Sequence, residues 1–362
     1  YVSGTTQGIS VIDVGQARVT KVIALAGDPH TILLSQDGRF LYMTQPALDQ
    51  VSVIDAKTGR PACRVHLAGA PALLALDPNS GVLYTGGGSA AGVSALDTST
   101  CAVRHTFQTA SPVYGLVLAL PVANLPSDKN AQLWVAGTAG LTIFDTHTGQ
   151  SLGTVAVPAG PQYLTVPLGT MIYVTTRQGS IDAVNIQTRA VQLLLSGGIF
   201  GPMDYDALTG EVYVPDQQHS QLDVLSPLND GTGTPPKEPE RVIRTGTPPE
   251  AAAITVDGLL GFVVLQGGKV AMLDLIRRIV VYTVQVGGTP HFVITGLYPP
   301  NAIVAPHPSP PQQTANPRSG LILNIVIYGC ALLLIAVLII MLLRLRRQRP
   351  GAGSYKPPSR VQ

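Results

Sequence analysis

Short apolar runs bounded by turn residues recur in a constant order along most of this 362-residue chain. Leu41 to Leu67, LYMTQPALDQVSVIDAKTGRPACRVHL, shows the unit: a β-rich run carrying an aromatic, then an aliphatic run ending in Asp and a turn. Seven aromatics mark the first feature. They are Tyr1, Tyr42, Tyr84, Trp134, Tyr173, Tyr213 and Phe262, at intervals of 41, 42, 50, 39, 40 and 49 residues. The matching turn residues are Asp13, Asp55, Asp97, Asp145, Asn185, Ser226 and Asp274. A proline precedes each aromatic after the first (Pro29, Pro71, Pro112, Pro161, Pro202, Pro248), and Pro290 follows the last unit. A period near 40 with four short strands per unit is the signature of a β-propeller.

Within a unit the first strand follows the proline, the second carries the aromatic, the third is of the VSVID type, and the fourth follows an Asp-x-x-Thr-Gly turn. Asp55 to Gly59 and Asp145 to Gly149 are examples. Asp suits such a turn because its carboxylate accepts backbone N–H groups two residues on, and Gly supplies positive φ. These aspartates therefore read as structural. The chain begins on a second strand and ends its repeats on a lone proline-led strand, Pro290 to Thr295. The fold class predicted is all-β: a seven-bladed β-propeller closed by that C-terminal strand completing the N-terminal blade, which removes exposed sheet edges.

Tyr1-Val-Ser-Gly with Ile9 to Asp13, and Ile172-Tyr-Val-Thr-Thr176 with Ile181 to Asn185, resemble the repeats of the YVTN β-propeller family, as do Gly27-Asp-Pro-His30 and Gly288-Thr-Pro-His291. Trp134 and Phe262 depart from it by replacing the tyrosine. The resemblance covers about residues 1 to 296 and implies the fold; the family's functions are diverse.

Charge is unevenly placed. Up to Pro317 there are 16 basic against 21 acidic residues, a formal −5, whereas the remainder holds seven basic residues and no acidic one. A mildly acidic body argues against nucleic acid as a partner. Leu321 to Leu343 is a 23-residue run without a charge, long enough to cross a hydrocarbon layer of ~30 Å as one C-terminal transmembrane α-helix. Arg344, Arg346, Arg347 and Arg349 follow it. By the positive-inside rule the tail is cytoplasmic and the propeller extracytoplasmic. The domain boundaries expected are thus 1–298 for the propeller, 299–320 for a Pro-rich linker of polyproline II character, 321–343 for the membrane helix and 344–362 for the basic tail. An exported propeller needs a leader; since the chain opens on YVSG, it reads as a processed or shortened form.

Two units are long. The excess lies at Leu120 to Gln132 between first and second strands, and at Pro227 to Glu240 between third and fourth. These connections share one face of a propeller, and the closing strand ends on it. Both insertions are expected to look toward the bilayer or a membrane-embedded neighbour, solvated ornament being the plain alternative. Cys63 and Cys101 are placed on fourth strands of neighbouring units. Outer strands splay apart, while a disulfide needs Cα atoms within ~7 Å, so two unbridged thiols are expected.

On the opposite face the first strands begin around the central channel. His30 and His291 belong to adjacent blades once the ring closes, and could hold a metal or polarise a ligand. Gln162 and Tyr163, Asp204 and Glu250 occupy comparable positions and complete the candidate ligand site. The plainer reading is that each His bonds its local turn. No HExxH, GxSxG, phosphate loop, CxxCH or Rossmann glycine fingerprint occurs, so no catalytic residue is named and no cofactor is predicted. The function expected is a non-catalytic, membrane-anchored propeller for protein–protein binding, an accessory subunit of a larger membrane complex. The alternatives are an extracytoplasmic enzyme or metal-dependent binder using the channel mouth, and a stand-alone adhesion or envelope protein.

Overall fold

Each repeat folds into its own antiparallel sheet. Successive strands are joined by connections too short for any other pairing, as in blade 2, with strands Ile32–Leu34, Phe40–Gln45, Gln50–Asp55 and Pro61–His66 in sequential order. The computed structural model describes residues 1–121, 123–125, 130–228, 239 and 241–296. Among these, six four-stranded sheets and one three-stranded sheet form. The three-stranded sheet is blade 1, Val2–Thr5, Gly8–Asp13 and Arg18–Ala24. Its missing inner edge is supplied by residues 291–294. Ser3 N–H donates to Phe292 O at 3.0 Å, His291 N–H to Ser3 O at 3.2 Å, and Ile294 N–H to Tyr1 O at 3.0 Å. The ring closes as the repeat register predicts. Gly4 permits it: at φ +71 it lies where an added Cβ would meet Thr289 O at 2.4 Å.

The core is divided into seven wedges, one at each junction between neighbouring blades. Each repeat aromatic fills the wedge toward the next blade: Tyr42 between blades 2 and 3, Tyr84 between 3 and 4, Trp134 between 4 and 5, and so around to Phe262 between 7 and 1. A sheet covered on both faces buries its middle strands outright, and Met171–Thr176 and Ser180–Asn185 are buried at every position. The outer strand loses that cover, and Val103–Gln108 buries only Phe107.

The turns before the fourth strands behave as the Asp pattern requires. Asp55 Oδ1 accepts the N–H of Thr58 at 2.6 Å, and Asp145 Oδ1 those of His147 at 2.9 Å and Thr148 at 2.7 Å. Four residues after the Asp, or after Asn185 in blade 5, the backbone turns left-handed, at Gly59, Gly149, Cys101 and Arg189. That position faces the fourth strand of the preceding blade. A Cβ on Gly59 would meet Ile23 at 2.9 Å, and one on Gly149 would meet His105 at 2.5 Å.

This placement corrects the cysteine expectation. Cys101 lies in the turn, ahead of the fourth strand Val103–Gln108, and its side chain reaches Cys63 on the outer strand of blade 2. The two form a disulfide with Cα atoms 5.8 Å apart. Outer strands do splay, but a turn of one blade against the outer strand of the other does not.

The first insertion is structural where it is described. Asn124 and Leu125 are each 3% exposed, and Leu125 joins the wedge between blades 4 and 5. Asn124 Oδ1 accepts the N–H of Leu120 at 3.0 Å, and its Nδ2 donates to Pro167 O and Gly169 O of blade 5, each at 2.9 Å. Most of the second insertion lies outside the described residues, as do the linker, the expected membrane helix and the tail. Among the described residues no helix is long and apolar enough to cross a membrane.

Candidate functional site

The proline-led first strands converge on the channel, and their N-terminal ends enclose a cavity of about 270 Å³ to which all seven blades contribute. One arc is polar: Glu250 of blade 7, His291 of the closing strand and His30 of blade 2. The facing arc is apolar, with Leu73, Leu116, Leu164 and Met203 from blades 3 to 6. Tyr163 and Gln217 add polar groups within it. Gly115 is needed here, since a Cβ would lie 1.9 Å from Gln162 O of the next blade.

The histidine rings are stacked, with centroids 5.0 Å apart and planes 23° from parallel. Each has a partner across a blade boundary, and His30 Nδ1 also lies 3.3 Å from Oγ1 of the adjacent Thr31. His30 Nδ1 is 3.2 Å from Ala72 O; a carbonyl only accepts, so Nδ1 carries the proton and Nε2 is left as an acceptor. His291 Nε2 is 3.1 Å from Asp28 Oδ2. Burial, then the neighbouring His291, pushes the His30 pKa down, with partial compensation from Ala72 O and Asp28. His30 is therefore neutral at pH 7. Burial raises Glu250, which His291 partly offsets, and burial also raises the Tyr163 phenol, against a hydrogen bond from Gln162.

Of the six sequence candidates, His30, His291, Tyr163 and Glu250 line the cavity. Gln162 serves as partner to Tyr163. Asp204 is turned to the junction of blades 6 and 7, where its Oδ2 accepts the N–H of Ile254 at 2.7 Å; burial lifts its pKa to about 6. Among the described residues no group of three or more His, Cys, Asp or Glu is placed to hold a metal ion. The leucines of the apolar arc and Gln217 carried no chemical signature in the sequence. Alternation along the inner strands could have found the leucines, but bulges at Pro161–Leu164 and Pro249–Ala251 break the register from blade to blade.

Ring, wedges and channel together define a seven-bladed β-propeller. Known proteins agree at the level of fold. The chain is similar to Kuenenia stuttgartiensis Hydrazine Synthase (TM-score 0.61, 16% identity, covering 81% of this chain and 93% of that one). It is also similar to the Myceliophteria thermophila Cps50 (Swd1) beta-propeller domain (TM-score 0.62, 13% identity, 81% and 92%). At such identities the likeness concerns the fold alone. No protein-family model matches the chain, and no curated protein matches it.

Proposed function

We propose that this protein is a membrane-anchored, extracytoplasmic propeller with repeats of the YVTN type, binding another protein as a non-catalytic subunit of a membrane complex. The observation that carries the reading is an apolar fringe on one face. Leu168, Leu208, Val256 and Ile276, at 66%, 72%, 80% and 75% exposure, stand at loop tips of the consecutive blades 5, 6 and 7. All lie in first-to-second or third-to-fourth connections, which share a face, and Gly296 at the end of the closing strand lies there too, against the Tyr1 ring. Large apolar side chains this exposed on one face are a mark of an interaction surface. Asn124 strengthens it by clamping the loop that presents Leu168.

The extracytoplasmic placement is supported by the Cys63–Cys101 disulfide, since such bonds persist in oxidising compartments. The anchor rests on the uncharged run from Leu321 to Leu343 and the arginines after it. The test is native mass spectrometry of the full chain extracted gently from its own membrane. A partner in fixed ratio is expected, and a Leu208→Glu, Val256→Glu, Ile276→Glu variant should lose it while unfolding at the same temperature. A chain that emerges alone, or a variant that keeps the partner, overturns the reading.

A further inference from the structure

The channel mouth lies on the face opposite the apolar fringe, so what binds there is a separate question. Its walls are amphipathic in a directional way: Glu250, His291 and His30 form one arc, and Leu73, Leu116, Leu164 and Met203 the other. The charges do not balance. No Lys or Arg is among the residues lining it. His30 gives its Nδ1 proton to Ala72 O, and His291 Nε2 is engaged by Asp28. Among the described residues the Glu250 carboxylate makes no ion pair with a Lys or Arg, and the neighbouring His291, its Nε2 held by Asp28, offsets its burial only in part. In a recess with apolar walls such a charge focuses a negative potential. A cavity of about 270 Å³ is at the small end for ligand sites, and suits one side chain or a small molecule.

We propose that the channel mouth binds an organic monocation with a short aliphatic stem, an alkylguanidinium or alkylammonium, the head on Glu250 and the stem on the leucine arc. The cation is either a free amine or the Arg or Lys side chain of a partner inserted into the ring. The stacked imidazoles stand beside Glu250 on the same arc of the mouth.

The test is calorimetric titration of the detergent-solubilised full chain with n-butylguanidinium, with valerate and valeramide as the anionic and neutral counterparts. Saturable binding of n-butylguanidinium alone is expected. Glu250→Gln, nearly equal in shape, should weaken it by about tenfold or more, the loss of one charge-assisted contact. Leu73→Lys should weaken it as well, because it adds a positive charge to the wall that would take the stem and repels a cation; both variants are checked for an unchanged unfolding midpoint. Equal binding of valerate or valeramide, or wild-type affinity in Glu250→Gln, overturns the proposal. A capped Gly-Arg-Gly peptide completes the series. Tighter binding than n-butylguanidinium assigns the site to a partner's side chain, and weaker binding assigns it to a free amine.

Discussion

The Arg189 guanidinium carbon lies 4.5 Å from the centroid of the Trp134 ring. Trp134 is the repeat aromatic of blade 4, and Arg189 is the left-handed residue of the blade 5 turn, φ 64°. The same contact recurs in other forms. Tyr42 hydrogen-bonds the Thr98 side chain, Tyr84 that of Thr146, and the Tyr173 hydroxyl accepts the N–H of Leu228 at 3.0 Å. The aromatic of one blade rests on the turn of the next, which is why the two marks keep a common period. Trp134→Ala should therefore cost about 3–5 kcal/mol, and Arg189→Ala about 1 kcal/mol. Denaturant unfolding of the two variants, with the double variant for coupling, measures both.

The Cys63–Cys101 bond spans 38 residues. A loop of that size corresponds to about 4 kcal/mol in the chain-entropy account, and Cys63→Ser with Cys101→Ser should lower stability by an amount of that order. Added reductant should act on the wild type alone.

His105 and Gly149 stand in blades 3 and 4 where Cys63 and Cys101 stand in blades 2 and 3: His105 pairs with Ala95 as Cys63 pairs with Val53. The double change His105→Cys and Gly149→Cys should therefore form a second disulfide without reshuffling the first. Thiol titration under denaturing, non-reducing conditions should find as many thiols as in the unchanged chain; two further thiols would show that the geometry is peculiar to the native pair.

Asn124 satisfies three backbone groups from within a buried position. Asn124→Ala leaves them unpaired and should cost about 2–3 kcal/mol. Hydrogen exchange should rise at Leu120 and in the 166–170 loop before it rises in the blade 5 strands.

Asp204 holds its proton to about pH 6, against an ordinary 3.8. Between those values the folded state binds more protons than the unfolded, so stability from this group is full below the lower value and is lost as pH rises through the upper one. Asp204→Asn keeps an acceptor for the Ile254 N–H but does not titrate. The stability of the wild type relative to this variant should fall by about 3 kcal/mol from pH ~3.5 to ~7.5. Unfolding curves across that range test the sign, and an unchanged difference would remove the assignment.

The repeat count, the aromatic and Asp registers, the four-strand unit and the closure by the strand after Pro290 were legible in the chain, because each is local or periodic: a strand needs alternation, a turn needs Asp and Gly, and a repeated unit meets the same neighbour at every step. The position of His30 and His291 at one mouth followed from closure alone. What a side chain meets across a blade boundary did not follow. Cys101 and Arg189 look alike in sequence as residues of a turn, yet the fold aims one at a thiol and the other at an indole. Asp204, two residues after a motif proline like Tyr163, turns to the neighbouring strand instead of the cavity. The leucine arc opposite Glu250 is assembled from blades far apart in the chain. Those contacts depend on the angle at which one twisted sheet packs on the next, which seven separate wedges set and which no single repeat encodes.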